Sequence, residues 1–188
     1  GNRILIGDSI AYNRAIGFGE AFGNVVLRDT TEKMMLEGNY GSYDERTRHA
    51  LATDSARCME YSQGDTLYMH ADTFEMITID STARQVKAYH GVRFFRVDIQ
   101  GVCDSMQFNT HDSTLCMYAD PVLWNEQNQL YGDTIVVHMA DTTVDHVHVI
   151  RFAFSIQQVD TGHFNQLKGN DLKAYFEGRE VRRIDIDG

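Results

Sequence analysis

Apolar and polar residues alternate with a period of two along most of the chain. Val25-Val26-Leu27-Arg28-Asp29, Met34-Met35-Leu36-Glu37-Gly38, Leu67-Tyr68-Met69-His70-Ala71 and Val86-Lys87-Ala88-Tyr89-His90 all carry it, and each predicts a half-buried strand. Helical periodicity is weak. The best candidate, residues 53–61, has Ala56, Cys58 and Met59 but no sustained stripe, with Gly64-Asp65 close behind, so it too is read as a strand.

The strands recur in phrases. Asp65-Thr66-Leu67-Tyr68-Met69-His70-Ala71-Asp72 aligns with Ser113-Thr114-Leu115-Cys116-Met117-Tyr118-Ala119-Asp120, Gly132-Asp133-Thr134-Ile135-Val136-Val137-His138 repeats the opening, and Gly7-Asp8-Ser9-Ile10 is a weaker copy. With Gly64 and Asp112, the residues just ahead of Asp65 and Ser113, counted in, the phrases begin at residues 7, 64, 112 and 132, which fits about three, two and one units of ~20 residues. In a second phrase, at Gly38-Asn39-Tyr40, Gly91-Val92-Arg93 and Gly101-Val102-Cys103, glycine is expected to mark a bend where the chain turns a corner. Together they predict an all-β coil of short strands with corners. Leu67, Met69 and Ala71 fall on one face, Thr66, Tyr68 and His70 on the other, and Ala119 is expected inward like Ala71. Such a unit cannot bury its face alone, so neighbours stack and the ends stay open as unpaired edges.

Composition narrows the function. One proline, 15 glycines and frequent Thr, Val, Tyr and Phe suit strands and tight turns, and 188 residues suit one domain. A net charge of −10, from 17 basic and 27 acidic residues, argues against nucleic acid as a partner. No run of eighteen apolar residues occurs, and the chain opens on a strand-like segment without a charged leader; a signal or anchor segment is expected outside this sequence, on a longer parent chain. Cys58, Cys103 and Cys116 form neither a CxxC pair nor a zinc-like cluster, and small buried hydrophobes are the expected role.

The phrases at 64–73 and 86–95, Met117-Tyr118-Ala119-Asp120-Pro121-Val122-Leu123-Trp124, and Asn128-Gln129-Leu130-Tyr131-Gly132-Asp133 resemble the OstA-like domain of the LptA family of periplasmic lipopolysaccharide-transport proteins. The resemblance runs from about Gly7 to Gly178. It implies an elongated β-jelly-roll or β-taco, a solenoid-like stack of short antiparallel strands spanning residues 1–188 as a single domain. It further implies a Gram-negative periplasmic setting, a non-catalytic role without cofactor in outer-membrane assembly, and an apolar groove that shelters the acyl chains of lipid A. Its partners would be lipopolysaccharide and other OstA-like domains or transport-complex proteins docked edge to edge, including head-to-tail copies of itself.

The expected lining is Phe18, Val25, Leu27, Leu36, Leu67, Met69, Val86, Phe94, Leu115, Met117, Leu130, Ile135 and Val137, with Met69 and Met117 adaptable to varied chains. The competing reading is that these residues pack as ordinary core. Arg93 and Arg96, or Arg179, Arg182 and Arg183, could offer phosphates local positive charge, or lie on a solvated strand face. His146 and His148 with Asp141 and Asp145 suggest a metal site, but no third ligand is set by spacing and no metal is assigned. Recurring Asp72, Asp104, Asp112, Asp120 and Asp133 could evoke a glycosidase or lyase, with Trp124, Tyr118 and Tyr131 as a sugar-stacking strip; turn positions with local hydrogen bonds are the expected role. A purely structural module using its edges is the third class. No nucleophile elbow, phosphate loop or dinucleotide fingerprint occurs.

Overall fold

The computed structural model describes all residues except 1–2, 31–32, 62–64, 80–82, 126–127, 141–142 and 179. Of the sequence candidates, Gly64, Asp141 and Arg179 therefore lie outside the described residues. The described chain is all-β, with seventeen strands in antiparallel pairings, as the period-two pattern predicts; residues 53–61 fall almost entirely within a strand. It divides into two compact units, residues 1–96 and 97–188.

The first unit is a stack of bent strands. β1 (Arg3–Ile6) and β2 (Ser9–Asn13) run along two halves of one long strand, β3 (Phe18–Asp29). β4 (Met34–Asp44), β5 (His49–Glu60), β6 (Leu67–Thr78) and β7 (Arg84–Arg96) follow as successive hairpins. Each pairing slips by a bulge near mid-strand, between Phe22 and Val25, Glu37 and Tyr40, Thr53 and Ala56, and His70 and Thr73. A bulge bends its strand, so every strand becomes two arms. The bends use left-handed backbone at Gly23 and Asn24, at Asp54 and Ser55, and at Gly91, conformations that glycine adopts freely and Asn and Asp tolerate. Gly38 and Gly91 thus stand at corners, as their phrases predict.

Small residues crowd the bend. Ala21, Ala52, Ala56, Ala71 and Ala88 are buried, and a Cβ on Gly41 would come within 3.1 Å of Val25 Cγ1. Toward β6 and β7 the interior is filled by Phe74, Ala88, Val92 and Phe94, all buried.

The second unit repeats the plan with shorter pieces. β8 (Ile99–Asn109) pairs through its start with β10 (Val122–Asn125) and through its end with β9 (Thr114–Tyr118). One arm continues through β11 (Asn128–Tyr131), β14 (Phe154–Asp160) and β15 (His163–Lys168). The other continues through β12 (Thr134–Ala140), β13 (Thr143–Ile150), β16 (Asp171–Glu177) and β17 (Glu180–Asp187). Corners with left-handed backbone lie at Ala119-Asp120 and Arg151-Phe152. Ala119, expected inward, is exposed: the corner arrives one residue after Tyr118 and takes it out of the alternation. Gly101, expected at a corner, lies inside β8 opposite Leu123.

Successive corners brace one another. Asp133 N donates to Arg151 O at 3.0 Å, Arg151 N donates to Asp171 Oδ1 at 2.9 Å, and Asn170 N donates to Asp187 O at 2.8 Å. Asp133 also forms an ion pair with Arg151. Asp112 accepts from Thr114 N at 3.2 Å in the β8–β9 turn. The recurring aspartates at 112 and 133 thus satisfy turns and corners. Met117, Ile135 and Val149 form one cross-strand row, flanked by Val137 and Val147, and all five are at most 1% exposed.

Candidate apolar cleft

The two arms of the first unit hold a cleft of about 260 Å³ between them, many times the space one water needs. From one arm come Leu5, Leu27, Met34 and Leu36; from the other Tyr12, Tyr43, Ala50 and Met76; at its floor lie Ala21, Val25, Gly41 and Ala52. The alternation explains the set. Val25 and Leu27 share parity on β3, Leu27 pairs with Leu36 on β4, and Ala21 pairs with Gly41, which pairs with Ala52. Small residues where the arms meet and large ones farther out leave a wedge that the chain's own side chains do not fill.

Charged groups enter the lining at few points. Asp29 and Arg84 line the cleft, one from each arm, and both have partners. Glu20 is held by Tyr40, whose hydroxyl donates to Oε1 at 2.7 Å, and Tyr12 donates to Glu45 at 2.9 Å. Each carboxylate raises the pKa of its tyrosine above the usual value, chiefly through the hydrogen bond, so both phenols remain protonated donors.

Of the expected lining residues, Val25, Leu27 and Leu36 line this cleft. Met69 and Phe94 continue the ladder of Leu36 through Cys58, and Leu67 lies one step along β6. Val86 pairs with Met76, which does line the cleft. Phe18 sits beside Gly19 in the parity of Glu20 and Phe22, half-buried and outside the lining. Met117, Leu130, Ile135 and Val137 are buried in the second unit, with Leu115 half-buried opposite Val137. Tyr12, Tyr43 and Met76 were not anticipated: alternation marks a face but not which arm it opposes.

The remaining candidates disperse. His138 stacks on His146, but among the described residues no group of three or more His, Cys, Asp or Glu is placed to hold a metal. Tyr131 stacks on Phe154 with centroids 5.0 Å apart, and Trp124 is half-buried. Cys58 and Cys103 are buried and Cys116 half-buried, all three free; burial pushes the Cys58 thiol up to about 12 and the Cys103 thiol to about 11. Among the described residues no helix is long and apolar enough to cross a membrane, a statement that does not bear on strands.

Fold and cleft define the class: an all-β stack of bent antiparallel strands with an apolar wedge between the arms of one unit. No protein-family profile matches the chain, and no curated protein sequence matches it. A solved structure to which it is similar is LptH, the LptA-homologous periplasmic component of the conserved lipopolysaccharide transport device from Pseudomonas aeruginosa. Identity is 13%, with 88% of this chain and 93% of that chain covered, and the TM-score is 0.33. At that score the likeness carries no conclusion for this chain.

Proposed function

We propose that the chain is a non-catalytic carrier, working in the periplasm of a Gram-negative bacterium, that shelters acyl chains of the lipid A part of lipopolysaccharide in the first unit's cleft. The observation that carries this reading is the cleft itself: an open, nearly uninterrupted apolar surface that gives water few hydrogen-bond partners. Burying hydrocarbon is worth about 0.8 kcal/mol per methylene, which a lining of Leu, Val, Met and Ala can supply. Contact is proposed first at Val25, Leu27 and Leu36, then along the same ladder at Met69 and Phe94. The remaining expected positions follow only where a chain can reach them.

Assembly is proposed at the strand edges. β1 and β2 each pair with β3 alone among the described residues, and expose Ile4, Leu5, Ile6, Ile10 and Tyr12. A strand from another OstA-like domain, a transport-complex protein or a second copy would add there through main-chain hydrogen bonds, and unlike ends allow head-to-tail growth.

A photoreactive residue at Leu36, exposed to radiolabelled lipopolysaccharide and light, tests the reading. Label is expected there and not at Arg28 on the opposite face of β3. No label, or equal label at both sites, would overturn it.

A further inference from the structure

The outer face of the first unit carries two arginines and a histidine in one row that the cleft does not use. Arg57 on β5, His70 on β6 and Arg93 on β7 are direct cross-strand partners, with Glu37 of β4 at the end of the row. Strands lie ~4.8 Å apart, so the two arginine stems rise about 10 Å from each other with an imidazole between them. Neither arginine has a hydrogen-bond or ion-pair partner among the described residues, and both are exposed. This concentration of positive charge stands on a chain of net charge −10.

The next row on the same face is apolar. Met59, Tyr68 and Phe95 are cross-strand partners, and Tyr68 and Phe95 are each 51% exposed. Both rows surround one shallow depression of about 430 Å³. Two guanidinium forks and a ring N–H suit a group with several anionic oxygens, and a phosphate dianion offers three. A polyanion such as nucleic acid would meet the repulsion of the whole chain. Exposed Tyr and Phe beside the cations favour a ligand that is part polar and part apolar, as at a membrane interface.

We propose that this depression binds a phosphate monoester on the head group of an amphiphile, with Arg57 and Arg93 gripping phosphate oxygens, His70 donating between them, and Tyr68 and Phe95 against the uncharged remainder. The site lies on the face opposite the cleft and needs no acyl chain in it.

Vesicle flotation of the whole chain tests this. The protein is expected to float with phosphatidylcholine vesicles containing phosphatidic acid and not with phosphatidylcholine alone, which separates the site from acyl capture in the cleft. The double variant R57Q/R93Q, with unchanged thermal unfolding, should lose affinity by roughly tenfold or more. R57K/R93K should fall between, because lysine keeps the charge and loses the fork. Inorganic phosphate should release the protein more effectively than sodium chloride of equal ionic strength. Equal flotation with both vesicle types, none with either, wild-type flotation of R57Q/R93Q, or release by salt alone would each overturn the proposal.

Discussion

His138 on β12 and His146 on β13 stack face to face, with ring centroids 4.1 Å apart and planes 13° from parallel. The row continues through Tyr175 to Arg183, which lies 5.1 Å from the tyrosine centroid. Lys173 pairs with His148 one row away. Desolvation, then the charge of His146, lowers the pKa of His138; desolvation, then Lys173, lowers that of His148. Asp112 and Asp145 act the other way on His138, and Asp171 on His148.

The folded protein therefore binds fewer protons at these rings than the unfolded chain. A histidine with lowered pKa contributes its full stability above the unfolded value of 6.5 and loses it as pH falls. Thermal unfolding temperatures should drop between about pH 7.5 and 5.5, and the drop should shrink in H138Q/H148Q. Parallel curves for the two proteins would refute the assignment.

Leu36 is half-buried and lines the cleft, so Leu36→Trp should occupy free space at little cost in stability. Displacement of a fluorescent fatty acid should weaken about tenfold or more if roughly two or more methylenes lose their contact. Unchanged binding by a folded variant would count against the cleft as the hydrocarbon site.

Ile135 is fully buried between Met117 and Val149. Ile135→Ala should cost about 2–5 kcal/mol in urea unfolding. Leu36→Ala, at a site where open space already exists, should cost less.

Two glycines separate steric from conformational need. A Cβ at Gly132 would lie 2.5 Å from Val149 Cγ1 and 2.9 Å from Arg151 O, whereas at Gly91 nothing lies within 4 Å but φ is +65°. Gly91→Ala should cost about 1–2 kcal/mol from backbone conformation alone. Gly132→Ala should cost more, because a backbone oxygen cannot easily yield. Calorimetry of the two variants orders them.

Burial of Cys58 and Cys103 suppresses their thiolates. Mass-mapped alkylation of the native protein near neutral pH should modify half-buried Cys116 first, and labelling of Cys58 ahead of it would contradict the packing.

Strand content and parity within a strand were legible because alternation is a local property: Val25 and Leu27 could be placed on one face of their strand from spacing alone, while Leu36 joins them through its pairing with Leu27. Glycine corners at 38 and 91 were legible as well. The corners at Asp54-Ser55, Ala119-Asp120 and Arg151-Phe152 were not, since left-handed backbone at ordinary residues leaves no compositional mark. Ala71 and Ala119 stand at matching places in near-identical phrases, yet one is buried and the other exposed, because β6 runs on through Ala71 whereas the strand at Thr114–Tyr118 ends and the backbone turns left-handed at Ala119 and Asp120. Tyr12, Tyr43 and Met76, like the row from Arg57 to Arg93, depend on pairing register, which one strand's sequence does not carry.

From Asp133 onward, successive corners of the second unit are tied to one another, Asp133 to Arg151, Ala153 to Gly169 and Asn170 to Asp187. A unit joined this way can gain or lose length one rung at a time, since a duplicated or deleted hairpin pair presents the same brackets to its new neighbours. Reach then becomes a quantity that evolution can adjust without reinventing the joint.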